Sequence, residues 1–329
     1  MLNGKKELKF YHGVIAFLLF LISLLVIRSP VGRVFGPYVS LVGELLFLLT
    51  AVGTVVVFGG NLREAFPVGK PKIVPLVGGG ILLWAMNTIS TACLMIAMYL
   101  APKQIQDATQ QLGGMDLEMG FLLSAFIIAV MPAICEEAVF RGVLQSSLKG
   151  SISNKWVVIV IIGVLFGACH GSAVKFLSTG LIGAVFAYIV YETGNMVYTV
   201  ILHFLNNFIA VVILYIMTKF LNLVSSSGVY DSAADPVSVA GIPLMTVAIY
   251  VLAAAAVPFA VYIGNYLLHR GIRRDADRIY TKEKKTTMIV LLIITGTILL
   301  CGLILLCTSF IVDVSYMNEM VQYQYNFKY

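Results

Sequence analysis

Charge is what this chain lacks. Only 12% of its 329 residues are charged, while 60% are hydrophobic and the mean hydropathy is +0.95. A soluble domain carries roughly a quarter charged residues and about 45–50% apolar ones. That excludes an ordinary soluble fold and implies an integral membrane protein. Other absences narrow the choice. Cysteine is odd in number, at five, and Cys93, Cys135, Cys169, Cys301 and Cys307 all fall in apolar segments, which excludes a disulfide framework and leaves small packing residues. No long polar stretch reads as a separate soluble domain, and no internal repeat is evident. The His-Glu-x-x-His signature of helix-borne zinc proteases is missing. The symmetry-related, interrupted segments expected of a transporter are missing too. The net charge of +6 does not call for nucleic acid, because the basic residues lie in the loops between apolar runs.

What is present is long hydrophobic runs. A span needs about 20 apolar residues. Apolar segments at 11–27, 39–59, 74–100, 121–144, 156–173, 176–191, 196–218, 243–268 and 287–311 predict an all-α, polytopic bundle of about eight to nine transmembrane helices. Three regions follow: N-terminal helices over 1–119, a core over 120–218 that carries the chemistry, and a C-terminal region over 219–329. The last region holds a Ser-rich loop (Ser225 to Gly228), a basic loop from His269 to Lys285 and further helices. Basic residues favour the cytoplasmic side. A cytoplasmic N-terminus gathers Lys5, Lys6, Lys9, Arg63, Lys70, Lys72, Lys149, Lys155 and the Arg270–Lys285 cluster inside. It leaves Arg28, Arg33, Lys103, Lys175, Lys219 and Lys328 outside. The first segment has a basic flank like a signal peptide but lacks a small-residue cleavage site, so it is read as a retained helix. The basic loop is expected to meet anionic lipid headgroups, and the tail tyrosines, such as Tyr316 and Tyr323, to anchor at the interface.

Against that background a few polar residues stand out. Glu136 and Glu137, with Arg141 four residues on, lie inside the fourth apolar run. Each ionised side chain at the centre of a bilayer costs about 2.5–3.5 kcal/mol or more, so all three require partners, water or a function. Successive helical residues differ by about 100°. Glu137 and Arg141, at i and i+4, therefore share a face and can pair, while Glu136 points elsewhere. Unpaired and facing a cavity, Glu136 is suited to general-base work. Pro132 removes a helical hydrogen bond to the carbonyl of Ile128, and a kink there could admit water. In the fifth run Gly163, Phe166, Gly167 and His170 form one stripe, and the Gly163-x-x-x-Gly167-x-x-x-Gly171 spacing allows close helix approach. In the seventh, His203 and Asn207 share a face with Thr199 one turn earlier. Imidazole and amide groups aimed at one point could hold a metal or stabilise an oxyanion.

Depth is the check. Glu136 lies roughly 22 Å from one end of its span and His203 roughly 10 Å from the other end of its own, so their levels agree. His170 fits only if the fifth helix is broken or strongly tilted at its glycines. Each element alone has a bland reading, since an intramembrane ion pair can be helix glue and a lone histidine is more often a satisfied core residue. Together their groups are chemically complementary.

In order, Glu136-Glu137-x-x-x-Arg141, Phe166-x-x-x-His170 and His203-x-x-x-Asn207 resemble the three motifs of the CPBP family, the CAAX proteases and bacteriocin-processing enzymes. The resemblance covers roughly residues 120–215. It implies an intramembrane glutamic endopeptidase acting on membrane-associated or lipidated peptides or on membrane proteins. In that reading Glu136 activates water, His170 positions water or substrate, His203 and Asn207 stabilise the oxyanion, and Glu137, Arg141 and Phe166 support them. No cofactor is then expected. The alternative is a zinc enzyme with Glu136, His170 and His203 as an open three-ligand site. A different class of reading is a non-enzymatic scaffold or immunity protein. The expected setting is a bacterial cell membrane, with lipids and a peptide or membrane-protein substrate as partners and no nucleic acid.

Overall fold

The computed structural model describes residues 7–27, 33–103, 105, 119–226, 242–272 and 279–326. Nine apolar helices are present among them and are numbered in chain order: α1 Phe10–Ile22, α2 Val39–Val57, α3 Ile73–Leu100, α4 Phe121–Lys149, α5 Lys155–Ala168, α6 Ala173–Thr193, α7 Val197–Ser226, α8 Leu244–His269 and α9 Lys285–Asn326. No strand occurs among the described residues. Seven of the nine are long and apolar enough to cross a membrane. The stretch Phe10–Leu25, which contains α1, and helix α5 are shorter. The chain is an all-α, polytopic helix bundle. The expected loop at Ser225 and Ser226 is instead the last turn of α7. Ser227 and Gly228, like Asp107, Asp116 and Arg273 in the other polar loops, fall outside the described residues.

Helix α4 is the axis of the bundle. It is the most buried of the long apolar helices and packs against α1, α2 and α7. Its apolar residues Val139, Phe140, Val143 and Leu144 lock into Phe20 of α1, Phe47 and Ala51 of α2, and Ile162 and Phe166 of α5. Helix α8 lies along α3 and α9 along the first half of α8, so the N-terminal and C-terminal regions touch directly. Helix α9 shows the opposite extreme, with 6% of its most apolar window buried. An apolar helix left so open must be solvated by lipid or covered by another chain.

Helices α5 and α6 form a hairpin that determines where His170 sits. At 14 residues, α5 is about 21 Å long at ~1.5 Å per residue, short of the ~30 Å hydrocarbon core. It ends at Ala168, and the chain reverses through Gly171 at φ +63°, a conformation that costs glycine little and other residues more. Side chains on Gly163 and Gly167 would collide with the α6 backbone: a β-carbon on Gly163 would come within 2.8 Å of the Gly180 carbonyl, and one on Gly167 within 2.6 Å of the Phe176 carbonyl. At the open end of the hairpin Lys155 of α5 pairs with Glu192 of α6 at 2.6 Å. Its tip brings His170 to the cavity beside Glu136. The expected break at the glycines is not seen: α5 runs unbroken through Gly163 and Gly167, and the chain turns only after Ala168.

Candidate active site

The site is built on the middle of α4, where the backbone departs from regular α-geometry. Wider π-helical turns at Phe126–Val130 and Ala138–Leu144 flank the α-helical stretch Met131–Glu137. Such insertions recur at functional sites. Pro132 cannot donate a hydrogen bond, so the carbonyl of Ile128 lacks its helical partner. Asn207 of α7 supplies a replacement: its Nδ2 donates to the Ile128 oxygen at 3.1 Å. The amide of Asn206 donates to Asn207 Oδ1 at 3.1 Å, and that of Asn87 on α3 donates to Asn206 Oδ1 at 3.0 Å. An asparagine relay thus joins α3, α7 and the proline-broken turn of α4.

One helical turn along α4, Glu137 and Arg141 form an ion pair at 2.9 Å with both side chains 0% exposed. A buried pair of this kind persists only when its remaining hydrogen-bonding capacity is met. Most of it is. Arg141 Nη2 donates to the Gly183 carbonyl of α6 at 3.0 Å. Its guanidinium lies over the rings of Phe166, Phe186 and Phe140 at 4.6, 5.3 and 5.9 Å, where cation–π attraction is strong because water is excluded. Glu137 Oε1, besides taking Arg141, lies 3.0 Å from His203 Nδ1. With a carboxylate there, the Nδ1 hydrogen donates to Glu137. That fixes the ring and leaves His203 Nε2 free to turn toward Glu136, whose Oε2 is 3.8 Å away.

Glu136 is placed differently. Its side chain is 17% exposed, and among the described residues it forms no ion pair with Lys or Arg. It lines a cavity of about 220 Å³ together with His170, Cys169 and Phe140 and with Phe20 of α1 and Glu44 of α2. A water needs only ~10–15 Å³ of such space. His170 is oriented by its own helix: Nδ1 lies 2.7 Å from the Phe166 carbonyl, a contact in which the ring nitrogen donates. Phe166 also stands edge-on to His203, with ring centroids 6.0 Å apart, so one aromatic side chain supports both imidazoles and the guanidinium.

Glu136 and His170 thus share a cavity, and His203 approaches Glu136 at 3.8 Å. Neither His203 nor Asn207 is among the residues that line that cavity, and part of the Asn207 amide is committed to Ile128. Glu137, Arg141 and Phe166 are packed beneath. Among the described residues no three His, Cys, Asp or Glu side chains are grouped so as to hold a metal ion. Sequence reasoning missed Glu44, a carboxylate from outside the core region. Its signal was available, since it is the lone acid within the apolar run Val39–Val57. It also missed Gly183, whose contribution is a backbone carbonyl that no residue pattern announces.

Fold and site together define a polytopic membrane protein with an intramembrane carboxylate–imidazole centre facing a water-sized cavity. Comparison by sequence agrees: residues 118–209 match the family model of the type II CAAX prenyl endopeptidases, Rce1-like. The match takes in all three motifs and less than a third of the chain. That segment is similar to the family that the motifs resemble. No curated protein and no solved structure matches the chain.

Proposed function

We propose that the protein is an intramembrane glutamic endopeptidase in which Glu136 is the general base. The observation that carries this reading is the contrast between neighbours: Glu137 is neutralised by Arg141, whereas Glu136 faces the cavity without a cation. A water held in the cavity between Glu136 and His170 gives one proton to Glu136 as its oxygen bonds to the scissile carbonyl carbon. The carbonyl π electrons move onto oxygen. That oxyanion is stabilised by the Asn207 Nδ2 hydrogen not used by Ile128 and, with both ring nitrogens carrying hydrogen, by His203 Nε2–H while Nδ1–H stays on Glu137. Collapse of the tetrahedral intermediate reforms the carbonyl and breaks the C–N bond. The proton on Glu136 passes to the departing amine, leaving a carboxylic acid, an amine and the Glu136 carboxylate.

The family match supports peptidase activity at a membrane, and the substrate is proposed only by class: peptides or membrane proteins that reach the bilayer interior, lipidated or not. The decisive experiment compares membrane peptides from cells carrying wild-type protein or Glu136→Gln by mass spectrometry. Products that vanish in the variant while the protein still inserts and folds support the reading. Undiminished cleavage by Glu136→Gln would end it. Cleavage by purified enzyme that survives chelation, without stoichiometric zinc, separates the water-activating glutamate from a metal-dependent version. A cellular phenotype indifferent to Glu136→Gln points to a scaffold.

A further inference from the structure

Glu44 is the polar group that the proposed reaction leaves unused. It sits in the middle of α2, outside the segment that matches the family. Its side chain is only 8% exposed, and Oε2 is buried without any hydrogen-bond partner. Among the described residues no Lys, Arg or His forms an ion pair with it. Yet it lines the same cavity as Glu136 and His170, close enough to Glu136 for the two carboxyl groups to interact electrostatically. Removing one charge from water without a partner is costly, and placing a second like charge on the same cavity adds repulsion. Packing does not require such an arrangement, because a leucine or methionine would fill the position without cost.

The rest of the cavity indicates what would relieve it. Beside Glu44 it is lined by Phe20, Leu24, Leu46 and Phe47, with the hydroxyls of Ser23 and Ser40 among them. A largely apolar cavity that holds an acid is complementary to a cation carried on an aliphatic stem. A buried carboxylate in that position is how other proteases select basic side chains. Glu44 lines the same cavity as Glu136 and His170, so the cavity's occupant would belong to the residue beside the scissile bond.

We propose that Glu44 is a specificity-determining residue, whose carboxylate receives the ammonium or guanidinium group of a basic substrate side chain next to the cleaved bond. The proposal rests on the peptidase reading for its substrate, but its test has an arm that needs no turnover. In nanodiscs, n-hexylammonium should raise the unfolding temperature of the wild-type protein, and Glu44→Gln should abolish that rise. The neutral isostere 1-hexanol should shift both proteins equally. In the cleavage arm, peptide libraries carrying Lys or norleucine at each position around the cut should show at least a tenfold kcat/KM preference for Lys at one position in wild type. Glu44→Gln should bring that ratio near one.

An equal response of both proteins to n-hexylammonium overturns the proposal. So does a wild-type enzyme without any basic preference, a result that holds even if Glu44→Gln fails to fold. A parallel fall of Lys and norleucine substrates in Glu44→Gln overturns it too, and moves Glu44 into the chemistry itself. If Glu136→Gln retains cleavage while the ammonium effect still depends on Glu44, the cation site stands and the reaction assigned to Glu136 does not.

Discussion

The two sides of α4 are built from adjacent residues and follow opposite rules. On one side Glu137 is sealed, with an arginine, an imidazole, a backbone carbonyl and three aromatic rings gathered around its ion pair. On the other side Glu136 and Glu44 face a cavity with no lysine or arginine partner among the described residues. A rotation of about 100° around the helix axis separates the two environments. The sealed side spends its polar groups on one another and so fixes geometry. The open side keeps its groups unsatisfied and so can act on something else. Intramembrane charge is costly in both places; on the sealed side the ion pair offsets most of that cost, though Glu137 Oε2 and Arg141 Nε remain buried without a hydrogen-bond partner.

The comparison can be broken at several points. The largest effect is expected at Glu136. Its replacement by Gln should lower kcat by ~10²–10⁴-fold, the usual contribution of a positioned general base, with the unfolding temperature in detergent hardly changed. A comparable loss of folded protein would move Glu136 to the structural side. Next is Arg141→Met, which strands Glu137 in the interior and should destabilise the fold by ~3–5 kcal/mol. The double variant Glu137→Gln/Arg141→Met should recover much of that, and equilibrium unfolding of the three proteins measures the coupling. A smaller effect, ~1–3 kcal/mol, is expected for Asn207→Ala, because the Ile128 carbonyl loses its donor. Here Pro132→Ala offers a specific rescue: it restores a backbone N–H to α4, so the penalty for Asn207→Ala should shrink in that background. An unchanged penalty would mean that Asn207 stabilises the fold through its bond with Asn206 and not through the Ile128 carbonyl. The smallest effect belongs to Lys155→Met at the base of the hairpin. That pair is partly exposed, with lysine at 36%, and its loss should cost at most ~1 kcal/mol. Its kcat should change little unless the hairpin tip shifts His170.

Much of the sealed side was legible in the residues. The i,i+4 spacing of Glu137 and Arg141, the free direction of Glu136 and the broken hydrogen bond at Pro132 are all consequences of helical geometry. The glycine spacing in α5 likewise announced close packing, now located against Gly180 and Phe176 of α6. The hairpin turn that carries His170 was not legible, because hydropathy continues past Ala168 while the helix stops there. The turn is made by Gly171, whose left-handed φ looks, in sequence, like one more small residue in a packing stripe. Nor was the destination of Asn207. Its spacing from His203 gave the shared face, but that its amide would meet the Ile128 carbonyl depends on how α7 lies across α4. Glu44 was overlooked because it comes without a motif. A single acid in an apolar helix gains meaning only when another helix brings a cavity to it.

The replacement of a lost α4 hydrogen bond by Asn207 has a mechanical consequence. Helix α7 grips α4 twice, through Asn207 at the proline-broken turn and through His203 at Glu137, and those two residues are one turn apart on α7. Sliding or rolling one helix against the other would therefore undo both contacts together. The imidazole that faces Glu136 is held in register by the same clasp, so the site should assemble and come apart as a unit, with no intermediate in which only one of the two contacts remains.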